Sequence, residues 1–165
     1  MTGLDKIREL VTSCLVEAGI EAVTAWGPDD KKRREGVVAA VSLRGCQGGP
    51  GGFQDYLGER YNPGTGRWEE LYGRKARLTF GLDLYAAGRD GGDQCQAAFD
   101  KMADALENGA PLGLSLESLS RKETVFDGEL GLFRCPVEAV CQAWLYAVAD
   151  EGGAFLDFEV RGERT

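Results

Sequence analysis

Most enzymatic acid–base and nucleophilic chemistry is built around histidine, and this sequence contains none. Without an imidazole, neither a Ser-His-Asp nor a Cys-His nucleophile system can be assembled, and most metal triads lose a ligand. Carboxylates are the remaining candidates. Glu69 with Glu70, or Asp127 with Glu129, could pair for acid–base work, but both sit in turn or hairpin contexts where solvated charge is the default. The glycine-rich run at 48–52 (GGPGG) is no phosphate cradle, because it lacks the Lys-Ser/Thr of a P-loop and does not open a helix. The five cysteines, Cys14, Cys46, Cys95, Cys135 and Cys141, are scattered and contain no CxxC pair. Set among apolar neighbours, they read as reduced core thiols, not as ligands or bridges. No catalytic residue, metal site or cofactor is therefore expected.

What remains is chemistry of contact. Residues 45–73 are dense in glycine yet carry Phe53, Tyr56, Tyr61, Arg67, Trp68 and Tyr72. In the middle lies Asn62-Pro63-Gly64-Thr65-Gly66, a turn by composition: proline presets φ, and glycine takes positive-φ positions. The segment reads as an arm ending in a projecting hairpin, with more aromatic surface than it can bury locally. Tyr, Trp and Arg are the residues that dominate protein–protein contacts. These six are accordingly the candidate partner-binding residues, the other reading being that the rings fold back onto their own sheet.

Charge narrows the partners further. The net charge is −8, and affinity for nucleic acid comes mainly from cationic contacts to phosphate. The one basic run, Lys31-Lys32-Arg33-Arg34, is bracketed by Asp29, Asp30 and Glu35 and reads as a solvated loop. No apolar run approaches the ~20 residues of a membrane span. The opening MTGLDKIREL reads as the start of an amphipathic helix, not as a secretory leader, so the cytoplasm of the producing cell is expected.

The elements that must position the arm follow from periodicity. Leu4, Ile7, Val11, Cys14 and Ala18 recur at helical intervals, with Leu10 and Leu15 filling in and Gly19 as the stop. A short strand over Ile20–Trp26 and a β-branched strand over Val37–Leu43 come next, the latter covered on both faces or nearly so. Ala76, Leu78, Phe80, Leu82 and Leu84 alternate with polar residues and glycine, which predicts a half-buried strand. Cys95, Phe99, Met102 and Leu106 predict a second helix, capped by Asp93 and ended by Gly109. Strands are then expected over 112–119, 123–126, 130–134, 137–148 and 155–160, with Asp127-Gly128 turning the middle pair. The predicted fold is one α+β domain over residues 1–165: a largely antiparallel sheet, two main helices on one face, and the arm inserted at about 45–73.

This order of elements resembles the phage tail terminators, the small tail-completion proteins of long-tailed phages and prophage-derived particles. The likeness lies in the first helix, the VVAAVSL strand, a long insertion, the RKARLTFGLDLYA strand, a helix over 93–108, and the strands around LESLSRKETVFDGELGLFRCPVEAVCQAWLYA. The resemblance implies a structural virion protein without catalytic residues. It would form a ring, usually a hexamer, that caps the tail tube, ends its polymerisation and presents a head-joining surface. The implied partners are further copies of itself, the tail tube protein and a neck or connector protein, with DNA passing through unbound and no membrane involved. Two other readings stand beside it: another neck, head–tail adaptor or minor tail protein, and a host small-molecule-binding or regulatory domain.

Overall fold

The computed structural model describes residues 3–24, 36–48, 56–109, 114–150 and 155–161. Helix α1 (Gly3–Glu17) buries Ile7 and Val11 of the expected stripe together with Leu15, whereas Leu4, Cys14 and Ala18 are half-buried and Leu10 and Val16 face outward, 44% and 53% exposed. Gly19 ends it with φ +87°, which permits a paired C-terminal closure: Ile20 N donates to Leu15 O at 2.9 Å and Gly19 N to Val16 O at 3.0 Å. Strand β1 (Glu21–Val23) then pairs in parallel with β2 (Val37–Gly48), while every other ladder is antiparallel.

The sheet is organised around two long strands, β4 (Arg67–Ala86) and β8 (Val137–Asp150). They lie side by side from Glu69↔Asp150 to Gly81↔Glu138. Each is too long for one neighbour to cover, so its outer edge is served by two strands in series. On β4 these are β2, from Val37↔Ala86 to Gly48↔Ala76, and then β3 (Tyr56–Asn62), from Tyr56↔Tyr72 to Asn62↔Arg67. On β8 they are β5 (Leu114–Arg121) and then β9 (Phe155–Arg161). Short strands β6 (Val125–Asp127) and β7 (Leu132–Cys135) extend the far end, where β7 pairs with β4 over Leu84–Ala86. The fold is α+β, as the periodicity predicts. The arm differs from expectation in two ways: residues 45–48 belong to β2, and the hairpin widens into four strands, β3–β4–β8–β9. The backbone explains the second difference. Each side of β4 carries N–H and C=O groups that need partners, and a lone two-stranded hairpin is marginal in water.

Helix α2 (Gly91–Gly109) buries Cys95, Ala98, Met102 and Leu106 against the sheet. It begins before Asp93, the expected cap, which lies inside the first turn. Gly91 has a packing reason: a Cβ there would collide with the Phe133 ring and approach Ala86 O within 3.2 Å. The even-numbered residues of β4 from Ala76 to Leu84 face the helices, all at most 2% exposed, with Phe80 the largest fully buried side chain.

The opposite face of β4 is open at Arg77, as a half-buried strand requires, but it closes at Gly81 and Asp83, which are buried. Their burial follows from a crease in the sheet. Strands β7 and β8 form one line beside β4, broken at Pro136, which has no N–H to give to a ladder. Across the break, Asp83 takes up the loose ends. Its carboxylate accepts from Val137 N at 3.1 Å, Arg44 Nη2 at 2.9 Å and Arg134 Nη2 at 2.9 Å. The bond to Asp83 raises Arg134 above the usual guanidinium value. Arg44 is the bulged residue of β2, unpaired between Leu43↔Phe80 and Gly45↔Thr79, and a bulge re-aims its side chain. Gly81 leaves its path clear, because a Cβ there would strike the Arg44 guanidinium and Ser42 Oγ.

Candidate functional site

The arm's tip is set by its turn chemistry. Asn62 Oδ1 accepts from Gly64 N at 2.9 Å, Gly66 N donates to Asn62 O at 2.8 Å, and Gly66 takes φ +69°. The β6–β7 turn repeats the device residue for residue: Asp127 Oδ1 accepts from Glu129 N at 3.0 Å, Gly131 N donates to Asp127 O at 2.8 Å, and Gly131 takes φ +65°. The hairpin expected at Asp127-Gly128 is present, but the glycine that the backbone requires is Gly131, at the end of a longer turn.

Beyond the arm's turn the side chains divide by face, as the period of two demands. One face carries Tyr61 opposite Trp68 and Tyr56 opposite Tyr72. The first pair meets edge to face with ring centroids 5.6 Å apart, the second is tilted at 5.4 Å, and such pairs contribute about 0.5–1.5 kcal/mol beyond their buried area. Pairing does not hide them: Tyr56, Tyr61 and Trp68 remain 54%, 53% and 49% exposed. Between the two pairs, Tyr72 donates its hydroxyl proton to Glu70 Oε2 at 2.8 Å, which raises the phenol above its usual value. Burial of part of the ring and the nearby Glu59 and Glu70 raise Tyr56 likewise.

The other face carries Arg60, Asn62, Arg67 and Glu69, of which Arg67 is exposed and Glu69 buried. Glu69 is 6% exposed and accepts from Arg60 Nε at 2.9 Å and Asn62 Nδ2 at 2.8 Å. This carboxylate ties strand to turn, so the Glu69–Glu70 pair is split between two faces and does not converge on a substrate.

Of the six candidate residues, the structure brings four together: Tyr56, Tyr61, Trp68 and Tyr72. Arg67 is adjacent to Trp68 in sequence, but the alternation points it to the other face, so it does not join the aromatic surface. Phe53 and the basic run at 31–34 lie outside the described residues. A second exposed apolar surface was not anticipated. Val125 and Phe126 are 52% and 59% exposed on β6, with the Phe126 ring edge-on to Phe133 at 5.2 Å. Its sequence signal is present in hindsight, as paired apolar dipeptides flanking the Asp127 turn.

The thiols also divide. Cys95, Cys135 and Cys141 are buried, as expected, whereas Cys14 is half-buried and Cys46 is exposed on β2. Burial pushes Cys95 and Cys141 up to about 11. Among the described residues, no group of three or more His, Cys, Asp or Glu side chains is placed to hold a metal ion, and no helix is long and apolar enough to cross a membrane. No protein-family model matches the chain, and no curated protein matches its sequence.

Proposed function

We propose that this chain is a structural, non-enzymatic subunit that assembles through its arm into a ring closing the end of a phage-type tail tube. In that role it stops tube polymerisation and offers the surface to which the head or neck joins. The observation that carries the reading is the exposed Tyr61–Trp68 and Tyr56–Tyr72 face, ordered by cross-strand pairing before any partner arrives. Rings fixed in this way lose little entropy on binding. Covering roughly 100 Å² more on each of three rings, at ~25 cal/mol per Å², is worth about 7.5 kcal/mol before association costs. That area falls short of the ~800 Å² per partner in a stable interface, so further contact is needed. Strand β3 can supply it, because among the described residues it pairs with β4 alone and leaves its outer edge for a neighbour's backbone. Such an edge-plus-aromatic contact is heterologous, the type from which rings close. The −8 charge also suits a channel through which DNA slides without adhering.

The test must spare the ladder. Deleting residues 53–72 would remove the end of β4 and strand the backbone of β8, so a loss of assembly would mean little. Replacing Tyr61 and Trp68 together by alanine removes the anchors and keeps every backbone bond. The double variant should fold, stay monomeric by light scattering and fail to complete tails in a complementation assay. Normal rings and complete tails from it would refute the proposal.

A further inference from the structure

In a chain of net charge −8, one open cleft of 380 Å³ is lined by four cations, Arg44, Arg121, Lys122 and Arg134, together with Ser120 and Glu138. It lies at the crease, beside the Pro136 break. Arg44 and Arg134 are accounted for by Asp83, and Arg44 also approaches Glu138 at 3.8 Å. Arg121 and Lys122 are not so explained: among the described residues neither has a carboxylate within ion-pair distance. The Arg121 side chain and the Lys122 backbone are nonetheless held in place. The Arg121 guanidinium lies 5.5 Å from the centroid of the Phe99 ring, with Nη1 4.0 Å from Cys135 Sγ, and Lys122 N donates to Pro136 O at 2.9 Å. Four cations thus line the recess beside one lining carboxylate, Glu138, with Asp83 bonded to Arg44 and Arg134 and Asp127 close to Arg134. That is a receptor for an anion.

Arginine and lysine donors suit carboxylate and phosphate alike, so the rest of the lining decides between them. Phosphate sites draw on backbone N–H groups of glycine-rich loops and helix N-termini, and neither lines this cleft. A source of carboxylates is present on the chain itself. The outer side of α2 exposes Asp93, Asp100, Asp104 and Glu107 in one stripe, opposite the buried Cys95, Ala98, Met102 and Leu106. At 1.5 Å per residue the stripe runs about 21 Å. Cleft and stripe are different surfaces, so joining them between copies makes a head-to-tail contact that repeats around a ring.

We propose that the cleft at Arg121 and Lys122 binds carboxylates of the α2 stripe of a second copy. This inference rests on the assembly reading above and adds to it a second, electrostatic contact that sets the orientation of neighbours. Sedimentation velocity of the purified full chain tests it. Association should weaken at least tenfold between 50 and 500 mM salt, since exposed pairs are screened. Arg121→Glu with Lys122→Glu should weaken it at least tenfold at low salt while circular dichroism stays native. Asp100→Lys with Asp104→Lys should do the same, and combining all four changes should return it to within about threefold of wild type. Lys122→Glu alone, whose side chain makes no bond among the described residues, covers the case in which loss of the Arg121–Phe99 contact unfolds the double variant. Wild-type association by the Arg/Lys variants, or no recovery in the combined variant, overturns the proposal. So does competition by millimolar inorganic phosphate without charge-swap rescue, which would make the cleft a phosphate site. If Tyr61→Ala/Trp68→Ala abolishes association and the charge reversals do not, only the cleft inference falls. A wild-type chain that stays monomeric throughout overturns both.

Discussion

Replacing Asp83 by alanine probes the crease, and its cost can be worked from the contacts it removes. Val137 N would be left in a buried site without an acceptor, costing about 1–3 kcal/mol. Each lost guanidinium bond would be worth about 1.5–3 kcal/mol if fully buried. The Arg44 and Arg134 side chains are 38% and 42% exposed, however, and rehydrate in part once released, so about 1 kcal/mol each is the fitting figure. The sum is about 4 kcal/mol, inside the ~3–5 kcal/mol range for breaking a buried charge pair. For a domain of this size that lowers Tm by roughly 10 °C. Asp83→Asn keeps an acceptor for Val137 N but places a neutral amide between two guanidiniums, so about half that loss is expected. Urea and thermal unfolding followed by circular dichroism give both values, and amide exchange at Val137 separates them: protection should fall in the alanine variant and largely survive in the asparagine one. Asp83→Ala within about 0.5 kcal/mol of wild type, or Asp83→Asn as damaging as Asp83→Ala, would refute the reasoning.

Two further predictions follow from close packing and burial. Gly91→Ala forces a methyl into the Phe133 ring at the start of α2 and should cost about 1–3 kcal/mol by calorimetry, well beyond the few tenths expected of an exposed helix position. Native alkylation at pH 8 should label exposed Cys46 readily and Cys14 more slowly, leaving Cys95 and Cys141 intact, as mass spectrometry of peptides would show. The same two thiols make stability depend on alkaline pH. Folded, they hold their protons to about 11, whereas unfolded they ionise near 9.0, so their contribution is fully present below pH 9 and is lost as pH rises from 9 to 11. Cys95→Ala with Cys141→Ala should flatten that decline.

The parts of this fold legible in the sequence are those fixed by local period. The helical stripe through Leu4, Ile7 and Val11 and the alternation from Ala76 to Leu84 each identify a core face without knowledge of the partner that covers it, whereas spacing alone did not separate buried Leu15 from exposed Leu10. The Asn62 turn was legible because proline and glycine restrict the backbone on their own. What stayed hidden depends on pairing across long separations. Gly73, Arg74 and Lys75 interrupt the apolar alternation, so β4 reads as a hairpin leg and a separate strand, although its backbone runs unbroken through them. Asp83 occupies a polar slot in the alternation and reads as solvent-facing; only the meeting of Arg44, Arg134 and Val137, from distant segments, makes it a buried hub. Arg67 stands apart from the rings for a simpler reason, since adjacency in sequence puts neighbours on opposite faces of a strand. The cleft draws its four cations from β2, the end of β5 and β7, and no local pattern announces it.

The length of β4 has a mechanical consequence. Its 20 residues span about 66 Å at ~3.3 Å each, from the arm's turn to the loop before α2. Both flanks are bonded along most of that run, by β3 and β2 on one side and β8 and β7 on the other. A load applied at the turn along the strand axis therefore pulls these bonds in shear, many at once, and not one by one as in an unzipping hairpin. Pulled at Trp68, the chain behaves as a stiff spar, delivering the force to the buried layer around Phe80 before the arm can peel away.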